Sequence, residues 1–165
     1  MLKLLRLQVF IIVAIGGQLW SPECMANDSR KHPWTLEYRL GGIEYAIVKE
    51  TGEVTLRRSA IEGRPASHGR GTLDKSETKQ LFDLAAQPGF LKSEKEYLPR
   101  PGTWKSYNYV MVSLQLKDAS GNLIHQVTCC DAPEQPIPAT VKELTDKVAA
   151  NIHKKFGALP LIPIN

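Results

Sequence analysis

The residues Trp34-Thr35-Leu36-Glu37-Tyr38-Arg39-Leu40 place an apolar side chain at every second position. Successive side chains of a strand point to opposite faces, so this alternation calls for a strand with one buried and one solvated face. The same period returns where Val110, Val112, Leu114 and Leu116 alternate with Met111, Ser113 and Gln115. The rest of the chain must therefore supply further strands and something to cover one side of a sheet.

Gly41-Gly42 breaks the first strand, residues 43–49 read as a second, and residues 54–57 as a third. Between the last two, Glu50-Thr51-Gly52-Glu53 holds the glycine a tight hairpin requires. AIEGRPASHGRG, residues 60–71, reads as a loop followed by one short strand at 70–73. Asp74 with Glu77 three residues on is a capping box, and Leu81, Phe82, Leu84 and Ala85 give the helix it opens an apolar face. Pro88-Gly89 ends that helix, and Phe90 and Leu91 tuck under the domain. Residues 92–108 form a long loop, 118–122 a turn, and 123–129 the hairpin partner of the preceding strand. Val141, Leu144, Val148, Ile152 and Phe156 recur at helical spacing, and the tail ALPLIPIN packs along the domain. The order β-β-β-(β)-α-β-β-α predicts an α+β fold. Its antiparallel sheet has five to six strands, with two helices on one face.

At the other terminus, Lys3 and Arg6 lead into an apolar block and then a more polar segment, the layout of a secretory signal peptide. Cys24-Met25-Ala26 offers small residues for cleavage after Ala26, and the apolar block falls short of the ~20 residues of a spanning helix. The expectation is residues 1–26 as signal peptide and 27–165 as one domain, exported to the periplasm or beyond, with no membrane attachment once the signal is removed. The net charge of +4 is mild, and KETGEVTLRR and KSEKEY intersperse bases with acids. Nucleic-acid binders gather bases on one face, so no nucleic-acid partner is expected.

Two features carry potential chemistry. Cys129 and Cys130 stand side by side, with His125 upstream. On a regular strand His125 and Cys129 share a face but lie ~13 Å apart, and the two cysteines point to opposite faces. One ion cannot hold all three, so neither metal nor cofactor is expected. Adjacent Cα atoms ~3.8 Å apart are closer than an unstrained disulfide allows. A strained vicinal ring, intermolecular pairing, or one buried and one exposed thiol remain open. None of His32, His68, His125 and His153 stands where it could activate a thiol, so no catalytic constellation is found.

The second feature is the loop with Tyr97, Leu98, Arg100 and Trp104, whose aromatic and arginine content is that of interface hot spots. The alternative is that Tyr97 and Trp104 fold back onto the sheet. Arg64 and His68, with Arg70, make a basic loop as a second binding candidate, or a merely solvated one.

Several local features recur together. They are Gly41-Gly42-Ile43, Leu73-Asp74 with Glu77, Leu81 and Leu84 with Gly89-Phe90, Tyr109-Val110-Met111-Val112, and His125-Gln126-Val127 with Asp131 and Pro138. In this pattern, over residues 34–155, the chain resembles emfourin-like proteins, small bacterial inhibitors of thermolysin-type metalloproteases, and related exported domains of unknown function. The resemblance implies a non-catalytic domain that binds another protein, a metalloprotease in the most specific case. Residues 50–71 and the paired cysteines lie outside the shared pattern, and no inhibitory residue is carried over. The rival readings are a periplasmic redox or metal-handling protein built on Cys129 and Cys130, and a structural envelope domain.

Overall fold

A computed structural model describes residues 33–61, 64–102 and 110–157. The chain divides into two units, Met1–Lys31 and His32–Asn165, and all described residues belong to the second. The expected signal peptide, Trp104 and the ALPLIPIN tail lie outside the described residues.

The expected alternation forms an α+β fold, with one sheet ordered β4-β3-β2-β1-β6-β7-β5. Its strands are β1 (Thr35–Leu40), β2 (Glu44–Lys49), β3 (Glu53–Arg58), β4 (Ser67–Thr72), β5 (Glu96–Tyr97), β6 (Met111–Lys117) and β7 (Leu123–Cys130). Every pairing is antiparallel except β5 with β7. The helices are α1 (Lys75–Ala85), α2 (Pro88–Leu91) and α3 (Ala139–Phe156).

Register explains the core. Leu36 pairs with Val48 and Leu116, and Tyr38 with Ala46 and Leu114, so these side chains share one face. Val54, Leu56 and Val127 extend it through β3 and β7. Leu81, Phe82, Val141, Leu144, Val148 and Ile152 from α1 and α3 cover it. The other face carries no helix among the described residues. Burying a leucine or phenylalanine side chain is worth about 1.5–3 kcal/mol, so this one-sided core dominates the stability.

The capping box forms as expected: the Glu77 N–H donates to Asp74 Oδ1 at 2.7 Å, and the Asp74 N–H to Glu77 Oε2 at 3.1 Å. Phe90 is fully buried, as its position after the helix implied.

Three details differ from expectation. Pro88 does not only close α1 but also opens the single turn α2, where its missing N–H is no loss. The two-residue β5 inside the expected loop pairs with Thr128 and Cys129, too short to leave any period in the sequence. The largest correction is β4, which begins at Ser67 within the expected loop. Its glycines mark close packing rather than a turn: a Cβ on Gly69 would sit 2.8 Å from the Phe156 ring, and one on Gly71 3.0 Å from Lys155 Cε.

Candidate functional site

The helix-free face is laid out by the same register. One row runs Thr128–Ser113–Arg39–Tyr45–Arg57–His68 across six strands. The next runs Gln126–Gln115–Glu37–Ile47–Thr55–Arg70.

Over β1, β6 and β7 these side chains satisfy one another. Gln115 donates to Gln126 at 3.0 Å, and Thr128 Oγ1 lies 3.4 Å from Ser113 Oγ. Lys117 Nζ meets Glu37 at 2.5 Å, and Arg39 stands 3.6 Å from the same carboxylate. The Arg39 guanidinium also lies 4.8 Å above the Tyr45 ring, a cation–π contact. Burial pushes the Glu37 carboxyl up, but hydrogen bonds from Lys117 and Tyr45 outweigh it and leave the pKa lowered.

Over β3 and β4 the pattern changes. Arg57, His68 and Arg70 are exposed, and among the described residues none has a carboxylate within 4.0 Å. The charge of Arg70 reaches Glu53, but that acid is lowered first by its own hydrogen bond to Lys49. These side chains border a groove of about 530 Å³, lined also by Tyr45, Ile47 and Thr55. Beside it lies the outer edge of β4, which no strand among the described residues pairs. His68 is thus a strand residue facing the groove, not a loop residue. Arg64 is exposed and joined to Ile61 by a backbone bridge, outside the groove lining.

Of this loop's candidates, Tyr97, Leu98 and Arg100 lie among the described residues, and these form no exposed aromatic cluster. Tyr97 is buried at 4 % exposure, and its hydroxyl accepts from the Glu94 N–H at 3.1 Å, so it serves the core. Leu98 is half-buried, and its carbonyl accepts from the Glu134 N–H at 2.9 Å. Arg100 is exposed and paired with Glu134 at 3.3 Å.

The cysteines are both free thiols and both buried, Cys129 on the core face and Cys130 opposite Met111 on the other. The exposed thiol of the mixed alternative is therefore not found. Burial, with Cys130 nearby, pushes the Cys129 thiol up to about 11. His125 is used structurally: its ring meets Phe90 edge-on at 5.1 Å, and Nε2 lies 3.1 Å from Ser93 Oγ. Ser93 donates its hydroxyl proton to the Phe90 carbonyl at 2.7 Å, so this contact is not an activated nucleophile. Burial and the charge of Lys95 lower the His125 pKa. Among the described residues, no three His, Cys, Asp or Glu side chains converge on a metal site. No helix among them is long and apolar enough to cross a membrane.

Sequence reasoning missed two buried charges: Glu37, on the side of β1 read as solvated, is 7 % exposed, and Glu44 lies deeper. Glu44 has a fully buried side chain; Arg58 Nε donates to its Oε2 at 2.8 Å, and His153 Nε2 lies 3.6 Å from Oε1. The other guanidinium nitrogens of Arg58 reach the carbonyls of Phe156 and Gly157 at 3.3 and 2.6 Å, tying the end of α3 to the sheet. The signal was there: Glu44 is in phase with Ala46 and Val48, and Arg58 with Val54 and Leu56.

No protein-family model matches the chain, and no curated protein is significantly similar to it.

Proposed function

We propose that this chain is an exported, non-catalytic protein-binding domain, with inhibition of a metalloprotease as its most specific form. The observation that carries the reading is the groove over β3 and β4. There Arg57, His68 and Arg70 stand without carboxylate partners among the described residues, while Glu37, Arg39 and Lys117 on the same face pair with one another, as does Gln115 with Gln126. Exposed basic groups without an ion-pair partner among the described residues, beside a strand edge that none of those residues pairs, are what a partner's surface can use. Burial of both thiols, with Cys129 pushed to about 11, fits packing better than a redox role, which needs an accessible thiolate of low pKa.

The test is site-specific photo-crosslinking of the full chain in its native cells, with the probe at position 57 or at the exposed Lys79 on α1. A discrete adduct from position 57 and none from position 79 is the expected result. If the partner is a metalloprotease, the purified chain should inhibit it in a one-to-one titration. Adducts from position 79 alone would move the binding surface to the helices and sink this reading.

A further inference from the structure

We infer that the outer edge of β4, which no strand among the described residues pairs, accepts an extended segment of a partner protein as an added strand, with carboxylates at alternate positions and apolar residues between them. This rests on the protein-binding reading above and names the kind of partner it requires.

The argument is one of register. A strand added beside β4 lies ~4.8 Å away and points its side chains alternately to the two faces. The partner residues opposite His68 and Arg70 fall on the helix-free face, beside an imidazole and a guanidinium with no carboxylate of their own among the described residues. Arg57, directly across from His68, adds a second guanidinium one strand further in. The intervening partner residue falls opposite Gly69 on the other face. That glycine has no side chain, and the Phe156 ring lies against its backbone. An apolar partner residue there would extend the contact onto the ring. The segment is therefore acidic–apolar–acidic over three residues.

The obvious rival occupant, β4 of a second copy, is disfavoured by the same charges. Antiparallel self-pairing centred on Arg70 sets arginine opposite arginine, and like charges directly opposite one another are destabilising; centred on Gly69 it sets each arginine opposite a His68 ring, which offers no countercharge. Nor does β4 carry the proline, bulge or inward-pointing charge that commonly blunts an edge. A polyanion without a peptide backbone could use the arginines but not the row of edge N–H and C=O groups.

The probe is a labelled peptide, Thr-Val-Glu-Val-Glu-Val-Thr, titrated into the full chain and followed by fluorescence anisotropy and by amide exchange of residues 67–72. Binding with slowed exchange along β4 is expected. R70E should weaken it about ten-fold, since reversal removes one favourable cross-strand pair and installs a repulsive one. Of the two peptides with a lysine in place of one glutamate, the one that sets the lysine opposite position 70 should restore binding to R70E, which also shows that the variant is folded. Two further peptides, N-methylated at the odd or at the even residues, keep both carboxylates while blocking one or the other hydrogen-bonding edge. At least one of them should fail to bind. Undiminished binding by both would mean plain charge attraction and overturn the inference. Absence of peptide binding in a chain that still crosslinks a partner through position 57 would overturn it too, leaving the protein-binding reading intact.

Discussion

The two halves of the helix-free sheet face are built from similar residues and use them in opposite ways. Over β1, β6 and β7, Lys117 and Arg39 close on Glu37, glutamine bonds glutamine, and serine faces threonine. Over β3 and β4, Arg57, His68 and Arg70 point into a groove without such closure. The contrast shows that a wet sheet face is not uniform padding. One half contributes to holding its own strands together; the other leaves its charges available. The support for the open half comes from beneath, through Glu44, Arg58, Gly69 and Phe156.

That support is the place to break the contrast most severely. Arg58→Ala leaves the Glu44 carboxylate buried without its strongest partner and releases two carbonyls at the end of α3. Removing one member of a buried ion pair costs about 3–5 kcal/mol, so the denaturation midpoint should fall accordingly. A loss well below 1 kcal/mol would show that His153 or water compensates fully. Gly69→Ala attacks the same half by overpacking. Its Cβ would meet Phe156 at 2.8 Å, an insertion costing about 2 kcal/mol. Combining Gly69→Ala with Phe156→Ala should recover part of that loss, because the clash then has no partner. Full additivity of the two costs would mean that the ring does not determine the glycine.

In the closed half the corresponding change is milder. Lys117→Met removes the shortest contact to Glu37 but leaves Arg39 and Tyr45, so about 1 kcal/mol is expected in denaturant titration. The pH dependence sharpens this. The folded pKa of Glu37 lies below its unfolded value. Its stabilisation is therefore fully present above the unfolded carboxyl's pKa of about 4.3 and is lost as pH falls through the lower folded value. Glu53, Asp74 and Asp118 are also lowered and titrate in the same acid range. The diagnostic is consequently the difference between variants: Lys117→Met should lose less stability than the parent on acidification below that pKa. Parallel acid curves would show that Lys117 does not set the charge state of Glu37.

How far all this was legible depended on whether the cause was local. The alternation at Trp34 to Leu40, the Asp74–Glu77 capping box and the helical spacing of Val141, Leu144, Val148 and Ile152 are local, and each formed as read. β4 was obscured because Gly69 and Gly71 answer to Phe156 and Lys155, residues at the far end of the chain. β5 consists of two residues held by a parallel bridge, and two residues have no period. Tyr97 has the composition of a contact residue but is buried by its pairing with Cys129. Of the open groove, His68 and Arg70 were visible as basic residues in a supposed loop. Their alignment with Arg57 and Tyr45 is a product of register between strands, which a single sequence does not print.

The smallest effect on the fold is the one that separates the two halves most cleanly. Arg57 and Arg70 are exposed and make no ion pair among the described residues, so Arg57→Ser with Arg70→Ser should change stability by no more than about 0.5 kcal/mol each. The same double variant should lose the partner adduct formed through the groove, read with the crosslinking probe moved to position 55. If stability falls by as much as in Lys117→Met, the open half is holding the sheet after all, and the difference between the halves is only one of geometry. If stability is unchanged and the adduct disappears, the uncompensated cations have a role outside the fold.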